Sequence, residues 1–313
     1  MIANNPEIIN KKKKENENIA GYVFISPMVI GIIVFTIIPM ITSLYYSFNN
    51  MTLVSPPKFV GFDNYIKLSR DPKFIKSFVV TLKYAVVSVP LRLAVSLFIA
   101  MLLNQKHRMI SFYRTIMYLP SIVGGSVAVA VMWRQIFMPT GIFNSALTAL
   151  GKWFYGSDYI FSFLWLADER TALSTLILMA IWQFGSPMLI FLAGIKNIPI
   201  SYYESAIVDG ANASQKFFRI TLPLITPIIL FNLVMQTING FMAFTQALIV
   251  TQGKPLNSTL FYALYLYQKM FQDKAMGYAS AMAWVLLIFI GLVTALIFRS
   301  TSAWVYYESK GDM

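Results

Sequence analysis

Charged residues are spaced so that long apolar runs alternate with short polar segments. A membrane-crossing helix needs about 20 apolar residues, and six runs reach that length. The first lies within 19–57 and is most apolar from Tyr22 to Leu44. The others are 84–105, interrupted by Arg92, then 115–133, 171–195, 220–253 and 275–298. With their flanks, the predicted spans are 19–48, 77–105, 115–134, 171–195, 220–250 and 275–298. The fifth run is long enough to project beyond a bilayer. A further uncharged stretch, 135–151, contains Pro139, Gly141 and Asn144 and reads as part of an extramembrane loop. The aromatic stretch from Trp153 to Trp165 would then lie near the interface, where Trp and Tyr are enriched. The expected fold is an all-α polytopic membrane protein with six transmembrane helices.

Composition agrees with the pattern. Of 313 residues, 57% are hydrophobic and 12% charged, and the mean hydropathy is +0.63. A soluble domain carries about 25% charged residues. Such hydrophobicity excludes an intrinsically disordered chain, and 16 Gly and 14 Pro exclude a collagen-like one. The absence of cysteine excludes disulfides, a thiolate nucleophile and Cys-ligated metal. The single histidine, His107, makes a zinc or haem site improbable. It lies in Lys106-His107-Arg108, which reads as a solvated basic turn at the lipid headgroups. The net charge of +12 would suggest nucleic acid in a soluble protein. In a hydrophobic chain it reflects basic loops facing anionic headgroups.

Orientation is less plain. Lys11, Lys12, Lys13 and Lys14 precede an apolar run longer than the roughly 7–15 residues of a signal-peptide core. Residues 1–18 therefore read as a cytoplasmic tail before an uncleaved first span. With that start, twelve basic residues fall on each side and Arg92 completes the total of 25, so the positive-inside rule ends in a tie. The tetralysine favours an inside start, because the first helix usually dominates.

Between the fourth and fifth spans lies a polar segment with its own chemistry. Ser201 stands three residues before Glu204, the spacing of a capping box. Gly210 permits a turn that a Cβ would strain. A second short helix should lead into Pro223. The result is a predicted helix–turn–helix outside the hydrocarbon, presenting small residues (Ala206, Ala211, Ala213) with two carboxylates, Glu204 and Asp209. Small residues allow a partner to approach closely, and carboxylates suit Arg or Lys partners.

Here the chain resembles a known family. Glu204, Ala206 and Gly210, followed by Ile220, Leu222 and Pro223, match in type and spacing the EAA loop of binding-protein-dependent ABC importer permeases. Ser205 replaces the usual first Ala, a small-for-small departure. Val60-Gly-Phe-Asp-Asn-Tyr65, Phe112-Tyr-Arg-Thr115, the segment from Phe191 to Pro199, Met276-Gly-Tyr-Ala-Ser-Ala281 and Trp304-Val-Tyr-Tyr-Glu308 resemble the carbohydrate-uptake branch. The resemblance implies that Glu204, Ser205, Ala206, Asp209, Gly210 and Ala211 form a cytoplasmic coupling helix seated in a cleft of an ATP-binding subunit. It also implies the sides of the membrane. Segments 106–114, 196–219 and 299–313 would be cytoplasmic, and 49–76, 135–170 and 251–274 external. The external segments 50–76 and 134–170 then offer either a docking face for an extracellular binding protein or ordinary capping of the bundle. Implied partners are a second, non-identical permease subunit, two ATP-binding subunits, an extracellular sugar-binding protein and the lipid bilayer, with no nucleic acid. No cofactor is expected on this chain, since ATP and Mg would sit on the ATPase subunits. The implied location is the plasma membrane of a bacterium. Lys-, Ile- and Asn-rich usage suggests a low-GC one, whose binding protein would be lipid-anchored outside.

Asn232, Gln236, Asn239 and Gln246 recur at i, i+4, i+7 and i+14. At about 100° per residue they fall within a sector of roughly 80° on one helix. Polar groups in a span face the bundle interior or a water-filled cavity. These amides fit a translocation path that meets sugar hydroxyls. They equally fit interhelical hydrogen bonds worth about 1 kcal/mol or less. Trp182 and Gln183 on the fourth span could add an aromatic platform and another amide. Arg92 costs roughly 2.5–3.5 kcal/mol to insert, and no predicted span holds an Asp or Glu to pair with it. It could snorkel, take carbonyl or lipid partners, or face the cavity, where it would suit an acidic sugar.

Other classes fit less well. An ion-coupled secondary sugar transporter, the alternative reading, places acidic residues at midplane, and none is present. A membrane-embedded enzyme would need acid–base or metal ligands that the spans lack. Without a Gly-x-x-x-x-Gly-Lys-Ser/Thr phosphate loop, ATP hydrolysis must come from another chain.

Overall fold

The computed structural model of the chain describes residues 21–52, 54–105 and 108–306. The tetralysine, His107, Glu308 and the end of the C-terminal tail lie outside the described residues. Helix α1 (Gly21–Ser47) is followed by a short antiparallel pair, β1 (Asn49–Asn50) with β2 (Lys58–Phe59). Helix α2 (Asp63–Arg70) then leads into α3 (Pro72–Leu103). Helices α4 (Ile110–Val123) and α5 (Val127–Ile136) come next, then α6 (Ile142–Tyr155), α7 (Glu169–Trp182) and α8 (Gly185–Asn197). The loop helix α9 (Ile200–Val208) precedes α10 (Ala213–Leu224) and α11 (Thr226–Phe241). A π-helical turn at Ala247–Thr251, helix α12 (Tyr262–Tyr267) and the long α13 (Met276–Trp304) complete the chain. The protein is an all-α polytopic membrane protein.

Among the described residues, only α1, α3 and α13 are single helices long and apolar enough to cross a membrane. The predicted spans 115–134, 171–195 and 220–250 are bent pairs. Helices α4 and α5 meet at 97°, α7 and α8 at 42°, and α10 and α11 at 65°. Six crossings result if each bent pair counts as one. Local sequence explains the breaks. Gly124 and Gly125 precede Ser126, whose Oγ accepts from the Val129 N–H at 3.3 Å and starts a new helix. Pro223 and Pro227 flank the bend at Ile225. Each proline removes a backbone donor, and its ring crowds the preceding turn. Segment 135–151, read from the sequence as part of an extramembrane loop, carries most of α6. Gly141 caps this helix, and Asn144 is buried, donating to the carbonyls of Pro139 (3.0 Å) and Phe163 (2.9 Å) and accepting from Trp165 Nε1 (2.8 Å).

Helix α3 is the centre of the bundle, packed against α7, α8 and α11. Its buried side carries Ser77, Thr81, Ala85, Ser88, Ser96 and Ala100. Small and hydroxyl side chains let helices approach closely where burial in lipid supplies no net drive for helices to associate. Two apolar clusters fill the interior. One joins Leu176, Met179, Tyr262 and Met282, and the other joins Val89, Leu93, Met188, Phe191 and Ile225. Helix α1 packs along α13 and leaves most of its apolar surface exposed, as hydrocarbon solvent permits.

Asp71 clasps one end of α3. Its Oδ1 accepts from the Lys73 N–H at 2.9 Å, the N-cap bond. Its Oδ2 accepts from Tyr265 Oη at 2.5 Å and Tyr278 Oη at 2.7 Å, and Lys269 lies over both rings. Burial raises the Asp71 pKa, but these hydrogen bonds outweigh it and hold the carboxyl below its ordinary value. Burial and the adjoining Asp71 carboxylate push the Tyr265 phenol upward. Loop, α12 and α13 are thereby fastened to α3.

Candidate functional site

At the other end of α3, the segment from α8 to α11 forms a helix–turn–helix. Pro199, with its fixed φ, opens α9 without any side-chain cap. Ser201 is already inside the first turn, so the capping box expected between Ser201 and Glu204 does not form. The capping box lies one helix later. Asn212 Oδ1 accepts from the Gln215 N–H (2.9 Å), and Gln215 Oε1 accepts from the Asn212 N–H (2.8 Å). Gly210 turns the chain at φ +75°, in the left-handed region that favours glycine. The Ala211 N–H donates back to the Ala206 carbonyl at 2.8 Å. Tyr203 Oη and Thr221 Oγ1 lie 2.9 Å apart and tie α9 to α10.

This geometry brings together the six loop residues singled out from the sequence. Glu204, Ser205, Asp209 and Gly210 are exposed, and Ala206 and Ala211 are half-buried. Ala206, Asp209, Gly210 and Ala211 line a hollow of about 330 Å³ with Lys216 and Arg219 on its other side. Around it Ile207 and Phe218 are exposed, and Val208 is 87% exposed. An apolar tip rimmed by charge is the composition of a protein contact.

The polar residues of the spans are divided rather than aligned. Helix α11 ends at Phe241, and Ala243 and Phe244 are not helical. Gln246 therefore does not share the helical sector of Asn232, Gln236 and Asn239, because the i+14 spacing assumed an unbroken helix. Gln236 and Asn239 meet Arg92, Tyr84 and Ser88 around a narrow hollow of about 30 Å³. Asn232 is fully buried, and neither atom of its amide has a hydrogen-bond partner among the described residues. Trp182 faces elsewhere. Its ring meets Trp133 edge-on at 5.4 Å in an apolar hollow of about 440 Å³ with Phe137 and Phe143.

Arg92 finds a carbonyl partner on another helix. Its Nε donates to the Gln183 carbonyl at 2.8 Å, and a second guanidinium nitrogen donates to the same oxygen. Ser121 Oγ donates there too, at 2.9 Å. Ser96 Oγ donates to the neighbouring Phe184 carbonyl at 2.9 Å. The break between α7 and α8 leaves the Gln183 carbonyl without a helical N–H, since the residue four ahead is Pro187, and Arg92 and Ser121 satisfy it. The Phe184 carbonyl accepts from the Met188 N–H at 3.0 Å as well as from Ser96. The Gln183 amide donates to the Gly124 carbonyl at 3.1 Å, joining this break to the one between α4 and α5. A Cβ on Gly124 would stand 2.5 Å from Gln183 Cγ, and one on Gly185 would stand 2.9 Å from Ser121 Oγ. Ser96, Ser121 and Gly124 were not singled out from the sequence. The only signal for them was the pair Gly124-Gly125 inside an apolar run.

The family described as the inner membrane component of binding-protein-dependent transport systems matches residues 92–305. The "Probable ABC transporter permease protein YesP" of Bacillus subtilis is 52% identical over the full length of both chains. The arabinooligosaccharides permease AraP of the same organism is 34% identical over 89% of this chain and 87% of its own. The permease AmyD of Thermoanaerobacterium thermosulfurigenes, described for starch degradation products, is 32% identical over 91% of this chain and 95% of its own. Among solved structures, a chain of a bacterial alginate ABC transporter, in complex with an alginate-bound periplasmic protein, superposes with a TM-score of 0.78. That match covers 92% of this chain and 96% of the other at 21% identity, which shows a shared fold.

Proposed function

The chain belongs to the binding-protein-dependent transport inner-membrane family, in its carbohydrate-uptake branch, and from that premise we propose how this permease works. It is a sugar ABC importer permease and not an enzyme. Its cargo is an oligosaccharide handed over by an extracellular solute-binding protein at the bacterial plasma membrane. Two separate ATP-binding subunits carry the nucleotide and its metal, the loop 196–219 sits in the cleft of one of them, and a second permease subunit completes the path.

The observation that carries this reading is the projecting, internally fastened α9. Motion applied at Glu204 and Asp209 cannot dissipate in the loop, because Tyr203–Thr221, Gly210 and the Asn212–Gln215 box hold it as a unit. It passes into α8, which packs on α3, and so to the Gln183 carbonyl that Arg92 holds. Arg92 borders the hollow with Gln236 and Asn239, which supports a polar response beside the proposed path. A chain of direct contacts between the two sites supports this route, and coupling along it further requires an element with two discrete arrangements. Glu204→Lys reverses charge at an exposed position and should leave the fold intact. The ATP-binding subunits should co-purify poorly with that variant and uptake should fall at least tenfold. Normal uptake together with normal binding-protein-stimulated ATP hydrolysis would sink the assignment.

A further inference from the structure

A hollow of about 830 Å³ lies where α3 ends, α4 begins and α8 passes into α9. Arg108, Arg114 and Lys196 line it with Gln105 and Tyr203, and among the described residues no acidic side chain does. None of the three cations joins an ion pair among the described residues. Arg114 is fixed in the wall. One guanidinium nitrogen donates to the Leu103 carbonyl at 3.0 Å, while its buried Nε has no partner among the described residues. Three cations and an unspent buried donor call for an anion with several acceptor oxygens. Beside the hollow, α4 turns Phe112, Tyr113 and Ile116 outward. A basic recess at a helix end, continuous with an exposed apolar helix face, matches a lipid with an anionic headgroup and apolar tails.

The geometry points to a binding site for an anionic phospholipid headgroup, with its phosphate among Arg108, Arg114 and Lys196 and its acyl chains along α4. This rests on the inward orientation of the loop proposed above. Since Tyr203 and Ile200 of α9 share the wall, the bound lipid would brace the coupling helix against the bundle.

The test uses the complete transporter in nanodiscs of phosphatidylcholine with a minority of phosphatidylglycerol. Lipid retained by the complex is counted by mass spectrometry. Phosphatidylglycerol should be enriched over its share of the disc. Each basic side chain near an anionic lipid contributes about fivefold in affinity, so Arg108→Gln with Lys196→Gln should weaken retention on the order of 25-fold. Arg134→Gln with Lys152→Gln, away from the hollow, should change nothing. Equal retention in both variants, or no preference in the wild type, overturns the site. Loss of the ATP-binding subunits with lipid retention unchanged also overturns it and assigns the recess to a protein contact. Displacement of the lipid by millimolar inorganic phosphate would assign it to a free anion. The chain has no native cysteine, so Gln105→Cys reports orientation. Labelling by an impermeant maleimide from outside intact cells would refute the loop orientation itself. Protection from outside without lipid preference refutes the lipid site alone.

Discussion

Replacing Asp71 by Ala should loosen one end of the bundle by a calculable amount. Three hydrogen bonds end on this carboxylate: the Lys73 N–H, Tyr265 Oη and Tyr278 Oη. The N-cap bond contributes about 1 kcal/mol, and each bond to a charged acceptor about 1.5–3 kcal/mol. The carboxylate is only half-buried, so solvent screening reduces the total to about 3–4 kcal/mol. Asp71→Asn keeps one acceptor oxygen but offers a donor where the second stood, and should lose about half as much. The assay is thermal unfolding of the purified complex at one fixed scan rate, because membrane complexes unfold irreversibly. The midpoint should fall for Asp71→Ala, less for Asp71→Asn, and less again for Tyr265→Phe or Tyr278→Phe. Asp71→Ala combined with Tyr265→Phe should be distinctly non-additive. The folded pKa lies below the unfolded one. The stabilisation is therefore complete above about pH 4 and is lost as pH falls through the folded value. The midpoint difference between wild type and Asp71→Ala should stay flat from pH 8 to 5. Additive variants, or a difference that changes across that range, would refute the reasoning.

Arg92→Gln removes both bonds to the Gln183 carbonyl, but it also relieves an insertion cost of roughly 2.5–3.5 kcal/mol. Its abundance in the membrane should stay near wild type while uptake of neutral and acidic oligosaccharides falls alike. A loss confined to acidic cargo would show that the guanidinium reads charge instead of fastening α3 to α8. Gly124→Ala forces a Cβ against Gln183 and the Pro120 carbonyl and should cost about 1–3 kcal/mol, seen as reduced folded yield. Gly125→Ala meets nothing within 4 Å and should be neutral in the same measurement. Gln236→Leu with Asn239→Leu should lower uptake or shift its specificity at normal expression, and unchanged transport would identify these amides as packing groups.

How far the sequence could be read depended on the range of the interaction involved. The apolar runs were legible because exclusion from water acts on each segment by itself. The loop was legible because Glu204, Ala206, Gly210 and Pro223 stand close along the chain and fold one short turn. Gly210 does adopt the left-handed backbone its position suggested. The capping box was misplaced because Pro199 opened the helix two residues before Ser201. Gln246 was misplaced because a helical sector can be counted only while the helix continues. The three bends escaped counting because a bent pair and a straight span have the same composition. Their signals, Gly124-Gly125 and the prolines 223 and 227, mark points where a bend is permitted without stating its angle.

The sequence by itself determined the solvent of this protein, the number of apolar runs and the local chemistry of the projecting loop. Each of these follows from residues within a few turns of one another. Only the tertiary structure decided where Arg92 spends its charge. It also decided that Ser121 joins Arg92 on the one carbonyl freed where a helix breaks, and that Gln236 and Asn239 part company with Gln246. The reason is one of distance along the chain. A carbonyl freed at Gln183 must find its donor 91 residues away, and no local pattern records that meeting.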